Sequence, residues 1–137
     1  DREKLKLIND WDTNIFNYFE DMDLCLRFRL KGYEIIKIRD AEVDHDAFAS
    51  HDISFSKKMD FSRNWHHSWS RFYFLKKHTT NINAYKYGIN VLIKSAFKSL
   101  FYIFFKKSKS ITHFAKAYGT LFAILNLEPN YRPKIKT

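Results

Sequence analysis

The residues best suited to chemistry are concentrated in Tyr18-Phe19-Glu20-Asp21-Met22-Asp23-Leu24, where three carboxylates fall within four positions. Acids at that density also suit a helix start, because they complement the positive end of its dipole and one of them can cap it. A second group is Asp44-His45-Asp46. One histidine between two aspartates lacks the additional His or Cys ligands that zinc takes. A third group is Arg63, His66, His67 and Arg71, interleaved with Trp65 and Trp69 and suited to phosphate oxygens. His66, His67 and Arg71 cannot all share a helical face with both tryptophans, so part of that set must pack or face water.

The elements that must position these groups alternate in type through the first half of the chain. From Asp21 to Leu30 apolar Leu24, Cys25 and Phe28 recur at helical spacing, with acids at the start, Arg27, Arg29 and Lys31 at the end, and Gly32 as the stop. Tyr33 to Ile38 is a short β-branched and aromatic run that predicts a strand, and Ala41-Glu42-Val43 predicts a second extended piece. Asp60 or Ser62 is placed to cap a helix running to about His78, which Thr79-Thr80-Asn81 breaks. Together these patterns predict an α/β unit.

The chain has 137 residues, 45% of them hydrophobic and 18% aromatic, which is enough apolar material for a core and excludes wholesale disorder. A single cysteine, Cys25, excludes an internal disulfide framework and a four-cysteine zinc site, and suits a reducing compartment. The net charge of +9 is unevenly placed. Residues 1–83 carry 14 basic and 14 acidic side chains, whereas residues 84–137 carry 10 basic side chains and one acid, Glu128. A balanced part followed by a basic appendage points to an anionic partner, either nucleic acid or a membrane surface.

In that appendage Lys86, Asn90, Lys94 and Lys98 form a row at helical spacing, with Ile89, Leu92, Ile93, Ala96 and Leu100 on the other side. The pattern runs into Leu100-Phe101-Tyr102-Ile103-Phe104-Phe105 and then Lys106-Lys107-Ser108-Lys109. As a helix, Gly88 to Phe105 spans roughly 27 Å, just short of a bilayer core, and two lysines lie near its middle. These features predict an amphipathic helix lying in the plane of a membrane. Ser110 is placed to cap a last helix through about Asn126, before Pro129 and Pro133 end regular structure.

The run from Trp11 to Arg27, followed by Lys31-Gly32-Tyr33, Ile38, Asp40-Ala41 and Val43-Asp44-His45, closely resembles the C-terminal half of the catalytic domain of family-two glycosyltransferases. These are GT-A fold enzymes of bacterial polysaccharide synthesis. His67 to His78 resembles the helix that follows in rhamnosyltransferase-like members, and the likeness extends over about residues 8–78. It implies an α/β fold, with the acceptor-side part of a GT-A domain at residues 1–78, a linker at 79–83 and a basic amphipathic helical tail at 84–137. It makes Asp21, the second acid of the Glu-Asp pair, the catalytic base. Glu20 and Asp23 are expected beside the acceptor, and Arg63, His66 and Arg71 near the leaving diphosphate or a lipid phosphate. His45, 24 residues after Asp21, falls where the family places a histidine facing a divalent metal, Mg²⁺ or Mn²⁺, and the donor diphosphate. Asp21 and His45 are accordingly expected to face one cleft.

The chain departs from the family pattern in two places. Asn9-Asp10-Trp11 stands where a Gly-Gly often precedes Phe-Asp, and Asp46-Ala47-Phe48 follows His45 in place of a His-Gly run. The family's nucleotide-binding strands and metal-binding Asp-x-Asp lie N-terminal to this half. The three Asp-x-Asp triplets here, Asp10-Trp11-Asp12, Asp21-Met22-Asp23 and Asp44-His45-Asp46, occupy acceptor-side positions. The expectation is therefore a C-terminal fragment of an inverting transferase, inactive without its donor-binding half. It would use a nucleotide-sugar donor and a lipid-linked glycan acceptor, and would sit in the cytoplasm on the inner face of the cell membrane through its tail. The alternative is a basic module that binds nucleic acid or a membrane surface without catalysis. The lysine row accompanies a continuous apolar face, which favours a membrane over nucleic acid.

Overall fold

Trp65, Trp69 and Phe72 recur at the spacing that puts side chains on one side of a helix, and that stripe is the centre of the core. The computed structural model describes residues 2–44 and 56–132. Five helices follow one another: α1 (Arg2–Leu7), α2 (Glu20–Leu30), α3 (Ser56–His78), α4 (Asn81–Ile103) and α5 (Lys107–Ile124). Helix α5 packs against both α3 and α4. Ala84 from α4 and Ala115 and Ala123 from α5 close over the tryptophan stripe, with Phe61, Tyr118, Phe122 and Tyr131 packed at its margin.

Small residues bring these helices together. A Cβ on Gly119 would stand 2.2 Å from the Trp65 carbonyl oxygen, so α5 runs directly against the backbone of α3. A Cβ on Gly88 would meet the Phe72 ring at 2.7 Å. The buried positions of α4 are Ala84, Gly88, Ser95 and Ser99, all small. Ser99 Oγ donates to the Ser110 carbonyl (3.1 Å), and Ser110 Oγ donates back to the Ser99 carbonyl (2.8 Å). This reciprocal pair closes the α4–α5 hairpin. Thr80 caps α4, its hydroxyl accepting from the Asn83 amide at 3.3 Å.

Helix α2 ends as its sequence predicts. Gly32 takes φ +84°, while Tyr33 N–H reaches the Phe28 carbonyl and Gly32 N–H the Arg29 carbonyl, which together make a Schellman cap. The α/β GT-A architecture implied by the resemblance is overturned, because the described residues hold helices and no strand. Tyr33 to Ile38 and Ala41 to Val43 carry no regular structure. A strand needs a neighbour to pair its N–H and C=O groups, and the described residues provide none. Ile36, Ile38 and Val43 accordingly lie exposed. The last helix also starts at Lys107, ahead of the expected cap, and Ser110 is buried within it.

Candidate active site at the start of helix α2

Two carboxylates anchor the N-terminal segment to the end of α3. Asp23 is wholly buried. Its oxygens meet Arg27 Nε at 2.8 Å, Lys77 Nζ at 2.7 Å and His78 Nε2 at 2.7 Å. Lys77 also reaches Asp12 Oδ2 at 2.6 Å, to which the Tyr73 hydroxyl donates at 3.0 Å. The Asn14 amide and side chain donate to the other Asp12 oxygen at 3.0 and 2.9 Å. Burial pushes the Asp23 carboxyl up, but hydrogen bonds from Lys77, His78 and Arg27 outweigh it and hold the group below the usual carboxylate range. The same competition lowers Asp12 to about 2, with Lys77 the principal donor against its burial. Arg27 extends this network by donating to the Ile8 carbonyl, and Ser70 Oγ donates to the Asn17 carbonyl at 2.7 Å.

Above this anchor the chain turns sharply. Tyr18 and Phe19 are consecutive non-glycine residues in the left-handed region, at φ +66° and +68°, and Phe19 precedes the first helical residue of α2. For aromatic residues that conformation is costly and persists only where surrounding contacts enforce it. His67 packs edge-on against both rings, at 5.5 Å from Tyr18 and 5.4 Å from Phe19, and Phe74 meets Phe19 at 5.5 Å. The turn delivers Asp21 to the first turn of α2 with its side chain exposed and one oxygen accepting from the Met22 amide at 2.7 Å. Glu20 beside it is half-buried.

The histidines and arginines of α3 divide between two faces. His67 and Arg71 lie four residues apart on the side that carries α2, since His67 and Phe74 touch Phe19 and His78 touches Asp23. Arg71 is exposed and its guanidinium sits over the Tyr87 ring at 4.8 Å. Burial, then the charges of Arg71 and Lys116, hold His67 below the usual histidine range. His66 faces the other way. It is buried, with Nε2 2.9 Å from the Tyr131 carbonyl oxygen and its ring 4.8 Å from Phe16, so it serves packing. Arg63 points toward Asp60, at 3.3 Å.

The structure thus packs His67 against the turn ahead of α2, leaves Asp21 exposed on the side of α2 away from Asp23 and Arg71 exposed against Tyr87, buries Asp23 and His66, and leaves Arg63 with Asp60. His45 lies outside the described residues. Among the described residues no three His, Cys, Asp or Glu side chains are grouped so as to hold a metal ion. Asp12 and Asp23, the two best-placed carboxylates, are committed to Lys77 and its neighbours. The resemblance places the main Mg²⁺ or Mn²⁺ ligands N-terminal to these residues, and no step below passes through a metal. Asp21 lines neither the cavity of about 180 Å³ formed around Trp69 and Tyr73 nor the apolar groove between α4 and α5. The sequence reading missed the roles of Asp12, Tyr73, Lys77 and His78. All four lie inside the stretches that carry the resemblance, but their pairing depends on contacts across more than fifty positions.

Comparison with family models, with curated proteins and with solved structures returned no match.

Proposed function

We propose that this chain supplies the acceptor side of an inverting glycosyl transfer from a nucleotide-sugar donor to a lipid-linked glycan in bacterial surface polysaccharide synthesis. One observation carries the proposal. Two strained aromatic residues hold an exposed Asp21 at the head of a helix whose buried Asp23 is locked to α3 by Lys77 and His78. Backbone strain of this kind collects where a group must be held ready for use. The resemblance of residues 8–78 to family-two glycosyltransferases gives that group its role. The proposal rests on these residues and not on the α/β architecture corrected above.

In the reaction the acceptor hydroxyl oxygen bonds to the anomeric carbon as the bond from that carbon to the nucleoside diphosphate breaks on the opposite face. The hydroxyl proton passes to the Asp21 carboxylate. Arg71, permanently charged and steadied by Tyr87, is suited to the phosphate oxygens. Donor binding belongs to the nucleotide-sugar half that lies N-terminal to these residues in the family.

The test is turnover by the enzyme carrying both halves, with membranes supplying the acceptor. Asp21→Asn keeps the shape and the acceptor for the Met22 amide but removes the base. Transfer should fall by about 10²- to 10⁴-fold with donor KM nearly unchanged. Wild-type turnover in that variant would rule out Asp21 as the base.

A further inference from the structure

We infer that the α4–α5 hairpin is a docking surface for an anionic lipid bilayer, with α4 lying in the plane of the interface and its C-terminal tip inserted. The side chains of α4 are distributed inside out for a soluble helix pair. Its buried positions are small, whereas Ile93, Phe97, Leu100 and Phe104 are 63%, 72%, 63% and 85% exposed. Spaced four, three and four apart, these form one stripe, and at 3.6 residues per turn it falls on the side away from Ala84, Gly88, Ser95 and Ser99. The stripe ends at the turn into α5, where Phe101 and Phe105, 4.9 Å apart, are exposed as well. An apolar groove of about 280 Å³ between Leu92, Leu100, Phe114 and Leu121 opens between the two helices, with the dimensions of part of an acyl chain.

Charge selects the occupant. Lys94 and Lys98 run along one side of the helix beside the stripe, Lys106, Lys107 and Lys109 surround the tip, and neither α4 nor α5 contains an acidic residue. An anionic headgroup layer meets the lysines while the acyl region takes the phenylalanines. Nucleic acid would use the lysines and leave the stripe in water. A second copy of this face would bring like charges together. No helix among the described residues is long and apolar enough to cross a membrane, so the hairpin is suited to lie on the bilayer. The surface does not involve Asp21, and its failure would leave the transfer chemistry untouched.

Flotation of the full chain with phosphatidylcholine vesicles, with and without phosphatidylglycerol, tests the inference. Binding should be strong on the phosphatidylglycerol vesicles and fall with salt. Replacing Lys94, Lys98, Lys106 and Lys107 with Gln should weaken it by about fivefold per lysine. Phe101, Phe104 and Phe105 are exposed, so their joint replacement by Ser should keep helical circular dichroism while removing the binding that survives high salt. Phe104→Trp should add emission that shifts to the blue on vesicles. The inference is overturned if the chain does not float. It is also overturned if neither variant set changes flotation, if an oligonucleotide binds more tightly than vesicles with the lysines alone mattering, or if sedimentation shows that the Ser variant merely dissolves a dimer.

Discussion

Asp21 and Asp23 are two positions apart on one helix, yet they occupy opposite environments. Asp21 is exposed, whereas Asp23 has no exposed surface and faces Arg27, Lys77 and His78. Removing the charge of a buried ion pair leaves its partners uncompensated, so Asp23→Asn should cost about 3–5 kcal/mol of unfolding free energy in urea titration. Asp21→Asn should change it by about 0.5 kcal/mol or less. If the two variants unfold alike, Asp23 is not the anchor of α2 on α3. The acid cluster was visible in the sequence as a unit. Its division into one structural and one exposed carboxylate was not, because Lys77 and His78, which close over Asp23, come from the far end of α3.

At the scale of elements, the end of α2 and the break between α3 and α4 were legible, and the starts of α3 and α5 were not. Gly32 after α2 and Thr80 between α3 and α4 stand where the sequence places a stop and a break, whereas the caps expected at Asp60 or Ser62 and at Ser110 fall inside α3 and α5. The strand expected at Tyr33 to Ile38 failed, because β-branched residues specify a strand only when another strand is present to pair with it. Helix contact depends on glycines in a similar non-local way. Gly119→Ala improves helix propensity by about 1 kcal/mol, but its Cβ would collide with the Trp65 carbonyl at 2.2 Å, where only backbone movement gives relief. Overpacking there should produce a net loss of about 1–3 kcal/mol, read as a lower thermal midpoint. Gly88→Ala meets the edge of the Phe72 ring and should lose less. The reverse order would show that α3 and α5 are not in backbone contact.

For the molecule as a whole, stability should form a plateau in pH with losses on both sides. His66 is held below its ordinary 6.5 by burial, against the Tyr131 carbonyl and with help from Arg132. His67 and His113 are lowered chiefly by burial and then by nearby cations. Below pH 6.5 the unfolded chain binds protons that these histidines refuse in the fold, so stability falls as pH drops. A second loss follows from about 4 down to about 2, as Asp12 and Asp23 protonate and release Lys77. On the alkaline side burial raises Tyr18, Tyr73 and Tyr87 above 10.0, while the two carboxylates outweigh burial in raising Lys77 above 10.5. The fold therefore holds more protons than the unfolded chain there, and stability declines again. Urea midpoints measured across pH should be flat between about 7 and 10 and fall on either side. A rise on acidification below 6.5 would contradict the buried, neutral state of His66.

The sequence by itself determined what nearest neighbours and helical periodicity control: the extent of α2, the break between α3 and α4, the confinement of the net positive charge to the last 54 residues, and the acid cluster around Asp21. Tertiary structure decided which of those acids is buried, which cations hold it, and that residues 33–38 remain unpaired. It also turned the small residues of α4 inward, leaving Phe97 and Phe104 exposed. The physical reason is range. Caps and amphipathic stripes are set within a few positions of the chain, whereas ladder partners, buried ion pairs and backbone-to-backbone helix crossings join residues dozens of positions apart.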